Sequence, residues 1–170
     1  MKKLLLLSAI TWVALGVQAQ DDKSKRPSPP AKVTETINSG AVITIDYSQP
    51  AVKGREIGKD IAPYGKVWRT GANEATTFEV SKDVKVEGKS LPAGKYGLFT
   101  IPNKDEWVVI FNKTPNQWGA YKYVEADDVV RVNVKPTKAS QFTERMTFTV
   151  DKDGKVALLW GNEQVAFNVQ

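Results

Sequence analysis

In the run Val130-Arg131-Val132-Asn133-Val134-Lys135, apolar and polar residues alternate without a break. Successive side chains of a strand point to opposite faces, so a period of two describes a strand with one face buried and one in water. The pattern recurs along the chain. Ile43, Ile45 and Tyr47 share a face opposite Val42, Thr44 and Asp46, and Phe78 and Val80 alternate with Thr77 and Glu79. Met146, Phe148 and Val150 alternate with Thr147 and Thr149. Trp107-Val108-Val109-Ile110-Phe111 is apolar throughout, which reads as a central strand covered on both sides. There is no convincing long helix.

Turn chemistry separates these runs. Asn38-Ser39-Gly40, Glu87-Gly88-Lys89, Pro102-Asn103-Lys104-Asp105 and Asp151-Lys152-Asp153-Gly154 read as hairpin connections. Leu91-Pro92-Ala93-Gly94 fits a type I turn, with Pro second and Gly fourth. The expectation is an all-β, single-domain antiparallel β-sandwich of roughly nine or ten strands, favoured over a closed barrel. Gln49 to Thr76 and Lys113 to Asp128 are two long non-strand excursions. Loops of that length inside a small domain usually carry function or some helix.

The ends of the chain have their own signals. Lys2 and Lys3 precede an almost wholly apolar run from Leu4 to Val17, and Val17-Gln18-Ala19 offers small or β-branched residues before a cleavage point. The run is shorter than the ~20 residues a membrane span needs. Residues 1–19 therefore read as a signal peptide, and the protein as exported, periplasmic or secreted, with no membrane span after signal removal. Residues 20–31, polar and then rich in Pro27, Pro29 and Pro30, read as a flexible linker, with the sandwich domain over 32–170.

Composition narrows the chemistry. The chain has no cysteine, so an exported domain of this length must rely on its core rather than on disulfides. Setting aside Lys2 and Lys3 from the 24 basic residues leaves 22 against 19 acidic ones, scattered and interleaved. That is a solvated mixed surface, and no nucleic-acid partner is expected. Histidine is also absent, which removes the commonest general base, zinc sites built on His or Cys, and Ser–His or Cys–His nucleophile pairs. Asp151-Lys152-Asp153-Gly154 opens like a calcium loop but has no acid at its twelfth position. No cofactor and no metal site is expected.

The sharpest candidates lie in Pro63-Tyr64-Gly65-Lys66-Val67-Trp68-Arg69-Thr70-Gly71-Ala72-Asn73-Glu74-Ala75-Thr76. Arg69 offers a planar fork for a carboxylate, phosphate or pair of hydroxyls, and Glu74 can take a proton if burial raises its pKa. The structural alternative is that Arg69 and Glu74 pair with each other and tie the loop down. Trp68, Trp118, Tyr121 and Tyr123 supply aromatic faces suited to a sugar ring or apolar ligand, whereas Trp107 and Trp160 sit in core patterns. The expected ligand-binding set is Trp68, Arg69, Asn73, Glu74, Gln117 and Trp118, converging in one pocket where the Tyr64–Thr76 loop meets the Gln117–Tyr123 loop.

The run just quoted, together with Leu91-Pro92-Ala93-Gly94-Lys95-Tyr96-Gly97-Leu98-Phe99-Thr100-Ile101-Pro102 and Trp107-Val108-Val109-Ile110-Phe111-Asn112-Lys113 with Gln117-Trp118-Gly119-Ala120-Tyr121, resembles the bacterial exported family filed as domain of unknown function 2911. The resemblance covers the chain from about Ser28 onward. It implies export and one β-rich domain, and no established activity. The leading expectation is a non-catalytic module that binds an unknown envelope ligand or protein. One alternative is a histidine-independent hydrolase or lyase on an envelope sugar, with Glu74 as acid–base, Arg69 stabilising negative charge, and Asp60, Glu56 or Asp105 as a second carboxylate. Another is a structural envelope protein with an open edge at Val165-Ala166-Phe167-Asn168-Val169.

Overall fold

The alternating runs become strands where expected in the computed structural model, which describes residues 22–170. The expected signal peptide lies outside the described residues. Ten strands follow in chain order: β1 (Pro30–Thr36), β2 (Val42–Ser48), β3 (Thr77–Val80), β4 (Val84–Val86), β5 (Lys89–Leu91), β6 (Gly94–Ile101), β7 (Trp107–Asn112), β8 (Asp128–Val134), β9 (Thr137–Val150) and β10 (Lys155–Asn168). All four expected hairpin turns join consecutive strands, and the Pro92-Ala93 turn joins β5 to β6. The first strand begins at Pro30 rather than Lys32. Ahead of it, the Asp22 side chain caps a single 3-10 turn over Lys23–Lys25.

The larger sheet is antiparallel with the order β1-β2-β3-β6-β7-β8. The second layer is built on the long β9–β10 hairpin. Pro50 to Val52 extend it on one side, through Met146 N–H to Pro50 O and Val52 N–H to Glu144 O. β4 extends it on the other, with Lys85 and Gln170 exchanging backbone hydrogen bonds of 2.7 and 2.9 Å. Those bonds cover the C-terminal run where an open edge was expected, so the structural alternative loses the feature that motivated it.

The apolar face of each alternating strand meets the other layer in one core. Ile43, Ile45, Phe78, Leu98, Val109 and Phe111 from the large sheet pack with Met146, Phe148, Leu158, Trp160 and Phe167 from the hairpin, all buried. Burying each such side chain contributes about 1.5–3 kcal/mol. The Tyr47 ring meets Phe148 edge-on at 5.0 Å, and its hydroxyl accepts the Phe148 N–H. β7 is flanked by β6 and β8, as its unbroken apolar run predicts. Its other face, with that of β6, carries Phe99 and Ile110, both fully buried beneath Val67, Ala75, Ala120 and Tyr123 of the two excursions. The excursions are therefore a roof over the sheet.

Trp68 joins the layers. Its backbone pairs with Thr100 of β6 (N–H to O 2.7 Å, and 2.9 Å in return), which turns its indole inward. There it stacks on Trp160 at 5.3 Å and 12°, and meets Trp107 edge-on at 6.2 Å. Trp68→Ala is expected to cost about 3 kcal/mol, the lower end for removing a large core aromatic, because Trp68 keeps some solvent contact. Urea unfolding checks this; a loss below about 0.5 kcal/mol, the range of ordinary surface substitutions, contradicts the joint.

Candidate functional site

Trp68 and Thr76 both bond to the same edge of β6, Trp68 at Thr100 and Thr76 through its carbonyl to Leu98 N–H. Residues 69–75 between them must leave the sheet and return within a short span. They do so with two non-glycine residues in the left-handed region, Thr70 at φ 53° and Asn73 at φ 60°. A β-branched residue there costs about 1–3 kcal/mol and persists only where its surroundings over-determine it. Here the Thr70 hydroxyl donates to Thr100 Oγ1 at 3.1 Å, and the Thr76 hydroxyl donates to Thr70 O at 2.8 Å. Gly71 is needed for clearance, since a Cβ on it would stand 2.8 Å from Thr76 Oγ1.

The second excursion is fastened at its root. Asn112, fully buried in β7, donates to Asp128 Oδ1 at 2.8 Å and to Val124 O at 3.0 Å. The Tyr123 hydroxyl donates to Asp128 Oδ2 at 2.7 Å while its ring packs on Phe99 at 5.2 Å. Burial, followed by that hydrogen bond and the Asp128 charge, pushes the Tyr123 phenol well above its ordinary range. The two excursions then meet backbone to backbone, through Ala75 N–H to Gln117 O at 2.9 Å and Gly119 N–H to Asn73 O at 3.0 Å.

The six expected residues lie around this seam, with their side chains largely committed to the fold. Trp68 stacks on Trp160 and donates its indole N–H to Gly71 O at 3.1 Å, and only its partly buried remainder lines a surface groove. Arg69 donates to Gly71 O and Asn73 O, and forms no ion pair with Glu74. Asn73 donates to Ser28 O, and buried Gln117 bonds to Thr114 O and Lys122 N–H. Glu74 and Trp118 remain at the surface. Their cavity, about 360 Å³ with Asn116 and Gln117, shares no lining residue with the groove of about 310 Å³ formed by Val67, Trp68, Arg69, Gly119 and Tyr121. The expected single pocket is thus two shallow ones on either side of the seam.

Glu74 finds its partners far away in sequence. Lys23 Nζ lies 2.9 Å from Oε1, and the Arg26 guanidinium reaches both oxygens at 3.1 and 3.0 Å. Arg26 also sits 5.9 Å over the Trp118 ring, a cation–π distance. Partial burial pulls the Glu74 carboxyl upward, but Lys23, its own backbone N–H and Arg26 outweigh this and hold it at about 2. Lys23 and Arg26 were invisible as site residues because Lys23-Ser24-Lys25-Arg26-Pro27 reads as linker composition. Its cluster of cations was the one available signal.

Residues 28–169 match the model of a family described as protein of unknown function (DUF2911). The chain belongs to this family. The DUF2911 span takes in both excursions and begins at Ser28, the residue whose carbonyl receives the Asn73 amide; Lys23 and Arg26 precede it. Comparison with curated proteins and with solved structures returned no match.

Because its folded pKa is depressed, Glu74 stabilises the fold above its ordinary value of 4.5, and that contribution fades as pH falls toward about 2. Glu74 is partly exposed, so Glu74→Gln is expected to cost only about 0.2–1 kcal/mol near neutral pH. Melting curves of both proteins at descending pH are expected to converge below 4.5. A gap that persists unchanged into the acid range contradicts the assignment.

Proposed function

We propose that this DUF2911 protein is an exported, non-catalytic binding module of the cell envelope, whose ligand or protein partner docks on the loop roof around Trp118. The observation that carries the reading is the exposure of large aromatics on a fastened base. Trp118 is 52% and Tyr121 84% exposed, on a loop whose backbone is bonded to the first excursion at Gln117 and Gly119. An aromatic face held in place loses little entropy on binding and suits an apolar ligand face or a sugar ring. Among the described residues, no helix is long and apolar enough to cross a membrane.

The electrostatics favour binding over catalysis at this seam. A carboxyl held at about 2 by two cations is ionised near neutral pH, with no proton to donate and little basicity to accept one. Arg69, the expected stabiliser of negative charge, is occupied by two carbonyls of its own loop. The hydrolase reading built on these two residues therefore has no support in their geometry.

Thermal unfolding against peptidoglycan fragments, other glycans, nucleotides and amino acids tests the proposal, with Trp118→Ala in parallel. A ligand at a hundredfold its dissociation constant stabilises by about 2.7 kcal/mol. Trp118→Ala is expected to leave the unliganded stability within about 0.5 kcal/mol, as for other exposed positions, and to abolish the shift. An equal shift in Trp118→Ala would place binding elsewhere.

A further inference from the structure

The β10 strand slips against β9 on both sides of Gly161, between Leu159 and Gly161 and again between Gly161 and Glu163. Gly161 takes φ 59°, and a side chain on it would stand 3.1 Å from Ile57 Cδ1. Irregularities of this kind re-aim side chains and recur beside functional sites. Here the slip turns Glu163 toward a cavity of about 260 Å³, which shares no lining residue with the two cavities at the seam. Val52, Ile57 and Phe142 give it apolar walls, and Phe142 is exposed.

Two polar groups of this cavity, on Glu163 and Tyr64, are unmatched. Glu163 Oε2 is buried with no hydrogen-bond partner, and no ion pair reaches the carboxylate from Lys138, its register partner, or from any other described residue. Arg55 also lines the cavity but makes no ion pair with Glu163; its guanidinium donates from Nε to Val52 O at 3.1 Å and from Nη2 to Ala51 O at 2.7 Å. Tyr64 stands at the rim on Gly58, so closely that a Cβ there would fall 2.2 Å from its ring. Its hydroxyl makes no hydrogen bond among the described residues. Burial pushes the Glu163 carboxyl upward, and burial, then Glu163, Glu56 and Asp105, push the Tyr64 phenol upward. A carboxylate placed without a cation beside apolar walls is costly unless a partner arrives to neutralise it.

We propose that this cavity binds a primary organic ammonium ion, its charge on Glu163 and its apolar body against Phe142 and Ile57. The aromatic ring of Tyr64 at the rim adds cation–π attraction to the same charge. The strand sequence carries a faint trace of the site: Gly161-Asn162-Glu163-Gln164 is a polar break, opened by a glycine, inside an otherwise apolar run.

The test is an amide NMR titration of the purified protein near neutral pH with cyclohexylammonium chloride, against cyclohexanol as the neutral analogue of similar shape. The ammonium is expected to give saturable shifts at Gly161, Asn162 and Glu163, with cyclohexanol at least about tenfold weaker. Glu163→Gln, which keeps the shape and removes the charge, is expected to weaken the ammonium by a similar factor while leaving the rest of the spectrum in place. Equal binding of alcohol and ammonium, or ammonium binding undiminished in a folded Glu163→Gln, overturns the proposal. If that variant does not fold, the comparison of the two probes on the wild-type protein decides alone.

Discussion

The stack of Trp68 on Trp160 is the contact on which the rest of the architecture depends. Trp68 belongs to the first excursion by sequence, to the edge of β6 by hydrogen bonding, and to the inter-layer core by its side chain. It therefore fixes three things at once: the second layer against the sheet, the start of the 69–75 loop, and the height of the roof over Phe99 and Ile110. An aromatic of that size contacts both Trp107 and Trp160, where a smaller side chain would leave a void.

From that joint outward, polar groups are used to hold loops in place. Arg69 and Asn73 fasten the first excursion, while Gln117, Asn112 and Asp128 fasten the second. The left-handed Thr70 is held by its bonds to Thr100 and Thr76, and the left-handed Asn73 by its bond to Ser28 O. Side chains whose donors and acceptors are consumed this way are scaffold, and what they leave at the surface is Trp118 and Tyr121. Trp118 keeps the Arg26 guanidinium over its ring, and both aromatics remain solvent-exposed.

The fold was legible because alternation is a local property. Val130, Val132 and Val134 reach the core by strand geometry alone, and the unbroken apolar run of β7 announced its cover on both sides. The site was legible only in part. The length of the excursions marked them as candidate sites, but partners lay outside any window. Glu74 is paired by residues 48 and 51 positions away rather than by Arg69 five residues before it. Trp68 looked like a ligand platform because nothing in a loop sequence says which way an indole turns; the Thr100 pairing decides that. Glu163 stayed hidden because a single strand cannot show that its ladder slips at Gly161.

Membership of the DUF2911 family fits an account in which the roof is part of the folded domain and not an appendage, since the match runs through both excursions. Native-state hydrogen exchange tests that claim most directly. The amides of Ala75 and Gly119, which close the seam onto Gln117 and Asn73, are predicted to exchange only with openings nearly as costly as those that release β6 and β7. If they exchange at the rate of free loops, the excursions are not a roof, and Trp118 has no fixed base from which to bind.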